Sequence, residues 1–240
     1  MNTDVHDGVE KLTIGILGGM GPAAAAYMHG RVIALAQQKY AVEQDSDYPP
    51  LLVYSPVITG LDERGLQHAD DTRRQVVRGV QHLERAGSHI VAVACNTVHC
   101  FYEDMQKSVS VPVLNMVAAT SAKVASAGIK TVGVLASSTS IQSGLYQKYL
   151  ELNGVAVIVP SSEQQKVINA VIFAVMSGRS GQREAHQLSV VAKEMSQLGA
   201  EGVVLGCTEL PVAYVDEGVL PVFDCIDIAA ESLLEFSFAG

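Results

Sequence analysis

The sequence predicts an α/β protein whose parallel sheets are covered on both faces, built as two related halves. Three observations predict it. Short Val/Ile/Leu-rich runs alternate with longer amphipathic segments, the rhythm of βα units. Most strand candidates are continuously apolar rather than alternating, as strands buried on both faces are. The pattern then repeats along the chain, in the same order.

Taken in order, the apolar runs are 12–17, 51–54, 89–94, 112–114, 131–136, 155–159, 202–205 and 219–223. After the first, Ala25, Met28, Val32 and Leu35 recur at helical spacing and form one buried stripe. Asp70, Asp71, Arg73 and Arg74 read as a solvated helix face with its acids at the N-terminal end, where the helix dipole favours them. Leu188, Val191, Ala192, Met195 and Leu198 form a second core-facing stripe. The repeat joins these elements: Ile14-Gly15-Ile16-Leu17 is echoed by Val132-Gly133-Val134-Leu135, Gly87–Cys95 by Gly199–Cys207, and Pro112-Val113-Leu114 by Pro221-Val222-Phe223. These echoes predict two halves of roughly 110 residues each, within the usual domain size. Chance likeness between strands explains the aliphatic runs, but not a cysteine in the same place after each one.

Composition narrows the function. The chain has 240 residues, 48% apolar and 17% charged, which excludes a disordered tail. Its formal charge of −9 offers no basic field for a phosphate backbone or an anionic membrane. No apolar run nears the roughly 18 to 20 residues that cross a bilayer. Asp4, Asp7 and Glu10 near the start, with no apolar stretch after them, argue against a secretory leader. Cys95, Cys100, Cys207 and Cys225 form no CxxC pair, so we expect free thiols in a reducing cytoplasm.

Each repeated strand ends in a cysteine followed by polar residues, Cys95-Asn96-Thr97 and Cys207-Thr208-Glu209. Ligands of parallel sheets bind outside the carboxyl ends of the strands. A lone cysteine there is most simply a small buried hydrophobe; a symmetric pair is different. Two halves packed face to face bring both thiols to one cleft from opposite sides, as is needed to remove a proton from one face of a carbon and return one to the other. Racemisation at Cα is such a reaction. A strand-to-helix turn should also favour thiolate. Moving a thiol from about 8.5 to near 7 takes about 2 kcal/mol, while a helix terminus gives roughly 0.3–1, so Asn96, Thr97 and Thr208 are expected to add hydrogen bonds.

Other motifs weigh less. Gly19-Met20-Gly21-Pro22-Ala23-Ala24 satisfies the G-x-G-x-x-A pattern of dinucleotide sites, but Pro22 removes an N–H and the candidate acids Glu43 and Asp45 have no strand beneath them. A nucleotide-dependent oxidoreductase and a binding-only sensor are accordingly minor alternatives, and the turn serves better to bring backbone close to a substrate carboxylate. His99 lies four residues after Cys95 and beside Cys100, without the four ligands of a closed zinc site. His99 and Glu209 are candidates to assist the neighbouring thiol as hydrogen-bond partners or proton relays. Cys100 and Cys225 read as structural.

Gly15-Ile16-Leu17-Gly18-Gly19-Met20-Gly21-Pro22, Ala94-Cys95-Asn96-Thr97-Val98-His99 and Leu205-Gly206-Cys207-Thr208-Glu209-Leu210 together resemble the aspartate/glutamate racemase family, closest to its aspartate racemase branch. The resemblance runs from about residue 12 to about residue 236. It implies two α/β domains with four-stranded parallel sheets, usually in a homodimer, with the site between them. The chain returns to the first domain at its end, giving residues 1–112 with 221–240 as one domain and 113–220 as the other. It implies an isomerase that needs neither pyridoxal phosphate nor metal, acting on a small acidic amino acid, aspartate foremost. Cys95 and Cys207 match the family's acid and base. Asn96, Thr97 and Thr208, with the backbone at Met20 and Gly21, match its contacts to the substrate's carboxylate or amine. Lys166, in a helix over 161–176, matches a lysine that binds carboxylate. Hydantoin racemases and maleate-type isomerases are the alternatives within the wider superfamily.

The sequence departs from the family pattern at residues 55–66, where Arg64 is the candidate for the distal carboxylate, beside Asp62 and Glu63. Arg64→Ala is expected to weaken turnover of aspartate while sparing a neutral amino acid. Equal losses on both, measured as initial racemisation rates, count against that role.

Overall fold

The structure, a computed structural model, describes residues 11–62 and 65–239. Its first sheet is parallel. β1 (Ile14–Leu17) lies at its centre, with β2 (Leu51–Tyr54) on one side and β5 (Ile90–Val93) on the other. Ile14 is in register with both Leu51 and Ile90. A single parallel bridge from Val91 to Val113 stands where the sequence suggests a fourth strand. The second sheet runs in the order β7 (Ala156–Ile158), β6 (Thr131–Leu135), β8 (Gly202–Leu205), β9 (Val222–Asp224), all parallel. Each half thus has its first strand inside, its second at one edge and its later strands on the other side, as the internal echo predicts. Between β2 and the next helix, β3 (Leu61–Asp62) and β4 (Gly65–Leu66) form a small antiparallel pair.

Helices cover both faces because the inner strands are apolar on both. α1 (Pro22–Lys39) and α10 (Cys225–Phe238) close one side of the first sheet, through Met28, Val32 and Leu35 against Ile226, Leu233 and Leu234. α2 (Ala69–Arg85) closes the other with Val76, Val80 and Leu83, and α3 (Tyr102–Lys107) adds Met105. In the second half, α4 (Met116–Ser126) and α6 (Leu145–Leu152) pack Val117, Val124, Tyr146 and Leu150 on one face, while α5 (Ser138–Gln142) is a short turn after β6. α7 (Ser162–Met176), α8 (Gln182–Gln197) and the one-turn α9 (Leu210–Ala213) cover the other.

Two details correct the sequence reading. Leu198 does not join the stripe of α8: it follows the last helical residue and is 66% exposed. The expected domain edges also move, because Val113 pairs with the first sheet and residues 222–224 with the second. The return to the first half comes with α10, which packs against α1.

That return is fixed electrostatically. Asp224 caps α10, accepting from the backbone N–H of Ile226 at 2.7 Å and of Asp227 at 3.3 Å. Arg31 on α1 reaches Asp227, with Nη2 at 2.9 Å from Oδ2. Burial, and then the charge of Asp227, push the Asp224 carboxyl up to about 7, against the pull of the two N–H groups and Arg31. The folded state therefore retains a proton that the unfolded chain releases near pH 4, and stability falls as pH rises from about 4 to about 7. Asp224→Asn keeps an oxygen for the cap and removes the titration. Urea unfolding at pH 5 and pH 7.5 should then show a smaller loss in this variant than in the parent.

Candidate active site

The carboxyl ends of the inner strands open into one cavity of about 230 Å³. Its polar wall comes from four strand ends: Gly19–Pro22 after β1, Cys95–Thr97 after β5, Ser137 after β6 and Cys207–Glu209 after β8. Ile58, Leu61, Asp62 and Gly65 close it from the β3–β4 hairpin, and Ile172 and Met176 from α7. The volume lies below the roughly 300–1,000 Å³ of drug-sized sites, which suits a small metabolite. The hairpin rests on the other half. A Cβ at Gly65 falls inside the contact distance of Thr139 on α5, so no larger residue permits this closure.

A reciprocal pair of hydrogen bonds ties the two cysteine loops together. Asn96 Nδ2 donates to the carbonyl of Gly206 at 3.1 Å, and Thr208 Oγ1 shares its one proton between the carbonyl of Ala94 at 3.4 Å and Glu209 Oε2 at 3.2 Å. Each residue follows one cysteine and binds the carbonyl that precedes the other.

Cys95, Cys207, Met20, Gly21, Asn96, Thr97, Thr208 and Glu209 all line the cavity. Their partners refine their roles. The second N–H of Asn96 goes to Cys225 Sγ at 3.1 Å, so its amide braces the loops and gives Cys225 a structural place. Thr97 shares a ring of hydroxyls with Ser137 and Ser140 at 3.2 and 3.3 Å. His99 stands outside the lining. Its Nδ1 lies 2.9 Å from the carbonyl of Cys95, and its Nε2 accepts from the N–H of Met116 at 3.3 Å. This pattern assigns the proton to Nδ1. Burial holds the ring below its usual range, hence neutral. His99 positions the Cys95 backbone, not the thiol.

Lys166 is not in the site. It shares a face of α7 with exposed Phe173, is itself exposed, and pairs with Glu163 at 2.7 Å. It borders a separate surface cavity with Ser138 and Gln142. Arg64 lies outside the described residues.

The electrostatics reverse the expectation of stabilised thiolate. Burial pushes the Cys95 thiol up to about 12, the charge of Glu209 adding to it; backbone N–H groups of Val98 and Thr97 oppose the rise and lose. Cys207 is driven well above its ordinary value by burial and then by Glu209, whose carboxylate accepts its thiol proton at 3.0 Å. The helices after the cysteines explain the failure: residues 97–101 form only a 3-10 turn and α9 only one turn, too little dipole to offset burial. Burial raises Glu209 as well, while the Cys207 thiol and the Thr208 hydroxyl at 3.2 Å pull it down. Its other oxygen lies against Gly21, where a Cβ would collide with Oε1 and the backbone has a positive φ of 85°. A carboxylate against the glycine turn is the wrong charge for a pyrophosphate, which removes the dinucleotide reading.

Ser137, Ile172 and Met176 escaped the sequence reading. The echo of Ile14–Leu17 in Val132–Leu135 carried the signal for Ser137, since both strands must end at the same cleft. Nothing in the pattern of α7 separates an apolar side chain that lines a cavity from one that fills a core.

A family model described as Asp/Glu/Hydantoin racemase matches residues 17–233. The chain is 34% identical over 221 residues to the broad specificity amino-acid racemase RacX of Bacillus subtilis, covering 91% of this chain and 95% of that protein. It is 30% identical over 153 residues to the glutamate racemase of Deinococcus radiodurans, covering 61% and 51%. Among solved structures, an aspartate racemase homologue from Pyrococcus horikoshii superposes with a TM-score of 0.79 at 29% identity, over 94% of this chain and 99% of that one. The aspartate racemase of Picrophilus torridus shares the fold with a TM-score of 0.80 at 22% identity, over 95% and 94%.

Glu209→Gln removes the one charge that raises both thiols. Iodoacetamide reacts with thiolate alone, so alkylation of Cys95 and Cys207, followed peptide by peptide, should begin at lower pH in this variant than in the parent. Unshifted profiles would show that burial acts alone.

Proposed function

The chain belongs to the Asp/Glu/hydantoin racemase family, and on that premise we propose that it racemises free amino acids, aspartate among them, by two-base proton transfer between Cys95 and Cys207. One observation supports the reading above the rest: two thiols at equivalent strand ends of duplicated halves, both in the wall of one small cavity.

In the working state one sulfur is thiolate and the other thiol. With Cys95 as the base, its thiolate takes the Cα proton from one face, the C–H electrons pass into an enolate-like carboxylate, and Cys207 delivers its proton to the opposite face. Cys95 ends as thiol and Cys207 as thiolate, so charge and protons balance, and the mirror-image substrate runs the same step backwards. Glu209, already bonded to the Cys207 sulfur at 3.0 Å, is placed to shuttle the proton that resets the pair.

The substrate itself offsets what raises the thiols. Its α-ammonium, drawn to Glu209, offsets the charge that, after burial, most raises both thiols. Its α-carboxylate meets the hydroxyls of Thr97 and Ser137, donors that strengthen as negative charge builds during proton removal.

The test is incubation of each enantiomer of aspartate, glutamate and several neutral amino acids in heavy water, with chelator present and no cofactor added. Appearance of the opposite enantiomer carrying deuterium at Cα is expected. Cys95→Ser and Cys207→Ser should each lower racemisation by about 10²–10⁴-fold, the usual worth of a positioned acid or base. Absence of exchange with every amino acid, or near-native turnover in either variant, overturns the proposal.

A further inference from the structure

The strand-end wall of the cavity is polar and carries the sulfurs; the rest of the lining is Ile58, Leu61, half-buried Asp62 and Gly65 on the hairpin side and Ile172 and Met176 from α7, with Met20 at the turn. Ile172 and Met176 stand four residues apart, on one face of their helix. Ile172 is 4% exposed and belongs to the core behind the site. Met176 is different: it lines the cavity and is 43% exposed. A large apolar side chain in that position gains little from folding. It has a use if a ligand covers it.

Charge gives the same indication. Among the described residues two carboxylates line the site, buried Glu209, which an α-ammonium can neutralise, and half-buried Asp62. A substrate with a second carboxylate places another negative charge in the same small volume, near the two carboxylates and against the apolar side chains of Ile172 and Met176. An apolar side chain there covers the two residues at no such cost, and a thioether or isobutyl group has the reach and flexibility to follow them.

We infer that Ile172 and Met176 form a side-chain subsite that makes neutral amino acids with apolar side chains of methionine or leucine size the favoured substrates, ahead of aspartate. The inference rests on the two-thiol reading, because it assumes that Cα sits between the sulfurs and projects the side chain toward α7.

The experiment measures kcat/KM for racemisation of alanine, methionine, leucine and aspartate with the full chain. Alanine, too short to touch the pair, reports the chemistry. Methionine and leucine should exceed aspartate by about tenfold or more, the discrimination typical of a matched apolar pocket. Met176→Lys, a change at a half-exposed position that leaves the core intact, should cut the methionine-to-aspartate ratio by about tenfold. Ile172→Val, which shortens the wall by one methyl group, should lower that ratio to a smaller extent. Aspartate preferred by the parent, or an unchanged ratio in Met176→Lys, overturns the inference while leaving two-thiol racemisation standing. Loss of exchange with all four amino acids, alanine included, instead defeats the reading on which it rests.

Discussion

The reciprocal bond between the two cysteine loops is the constraint from which the site follows. Asn96 holds the carbonyl before Cys207, and Thr208 holds the carbonyl before Cys95. Neither bond exists unless both halves are folded and in register, so each half positions the other's sulfur. Such bonds contribute about 0.5–1.5 kcal/mol each when made, and cost more when one partner is removed and the other stays buried. Their energetic worth is modest. Their geometric worth is large, because two buried thiols that share a cavity must stay aligned without any bond between them.

Burial creates the second constraint. The hairpin, with Gly65 against Thr139, covers part of the cavity, and the buried groups in its wall feel one another's charge more strongly than they would in water. Burial raises both thiols and makes thiolate costly before substrate binds. Closure and reactivity are therefore opposed until a cationic group enters. Glu209 sits where this opposition is settled, bonded to one thiol and one hydroxyl and pressed against the glycine turn.

Much of this was legible in the residues. Continuous apolar runs located both sheets, because strands covered on two faces cannot alternate, and the cysteine after each echoed strand located the cleft. The polar neighbours of those cysteines line the same cavity. Lys166 was misplaced because a match of residue type along a helix says nothing about which face it occupies; it follows Phe173 outward. The charge state of the thiols was misjudged for a related reason: position after a strand shows the dipole, and only packing shows the burial that outweighs it. The edges of the halves moved because strand pairing is long-range, so Val113 and the 222–224 strand chose partners that no local pattern names.

The duplication is imperfect at one informative place. Thr97 and Glu209 occupy equivalent positions, two residues after each sulfur, yet one joins a ring of neutral hydroxyls and the other is a carboxylate. Mirror-image forms of a free amino acid have equal free energy in water, so no catalyst can favour one hand at equilibrium. The ratio kcat/KM must then be the same in both directions, however unlike the two faces are. A lopsided site of this kind can express its asymmetry only by holding one hand more tightly and turning it over more slowly in the same proportion.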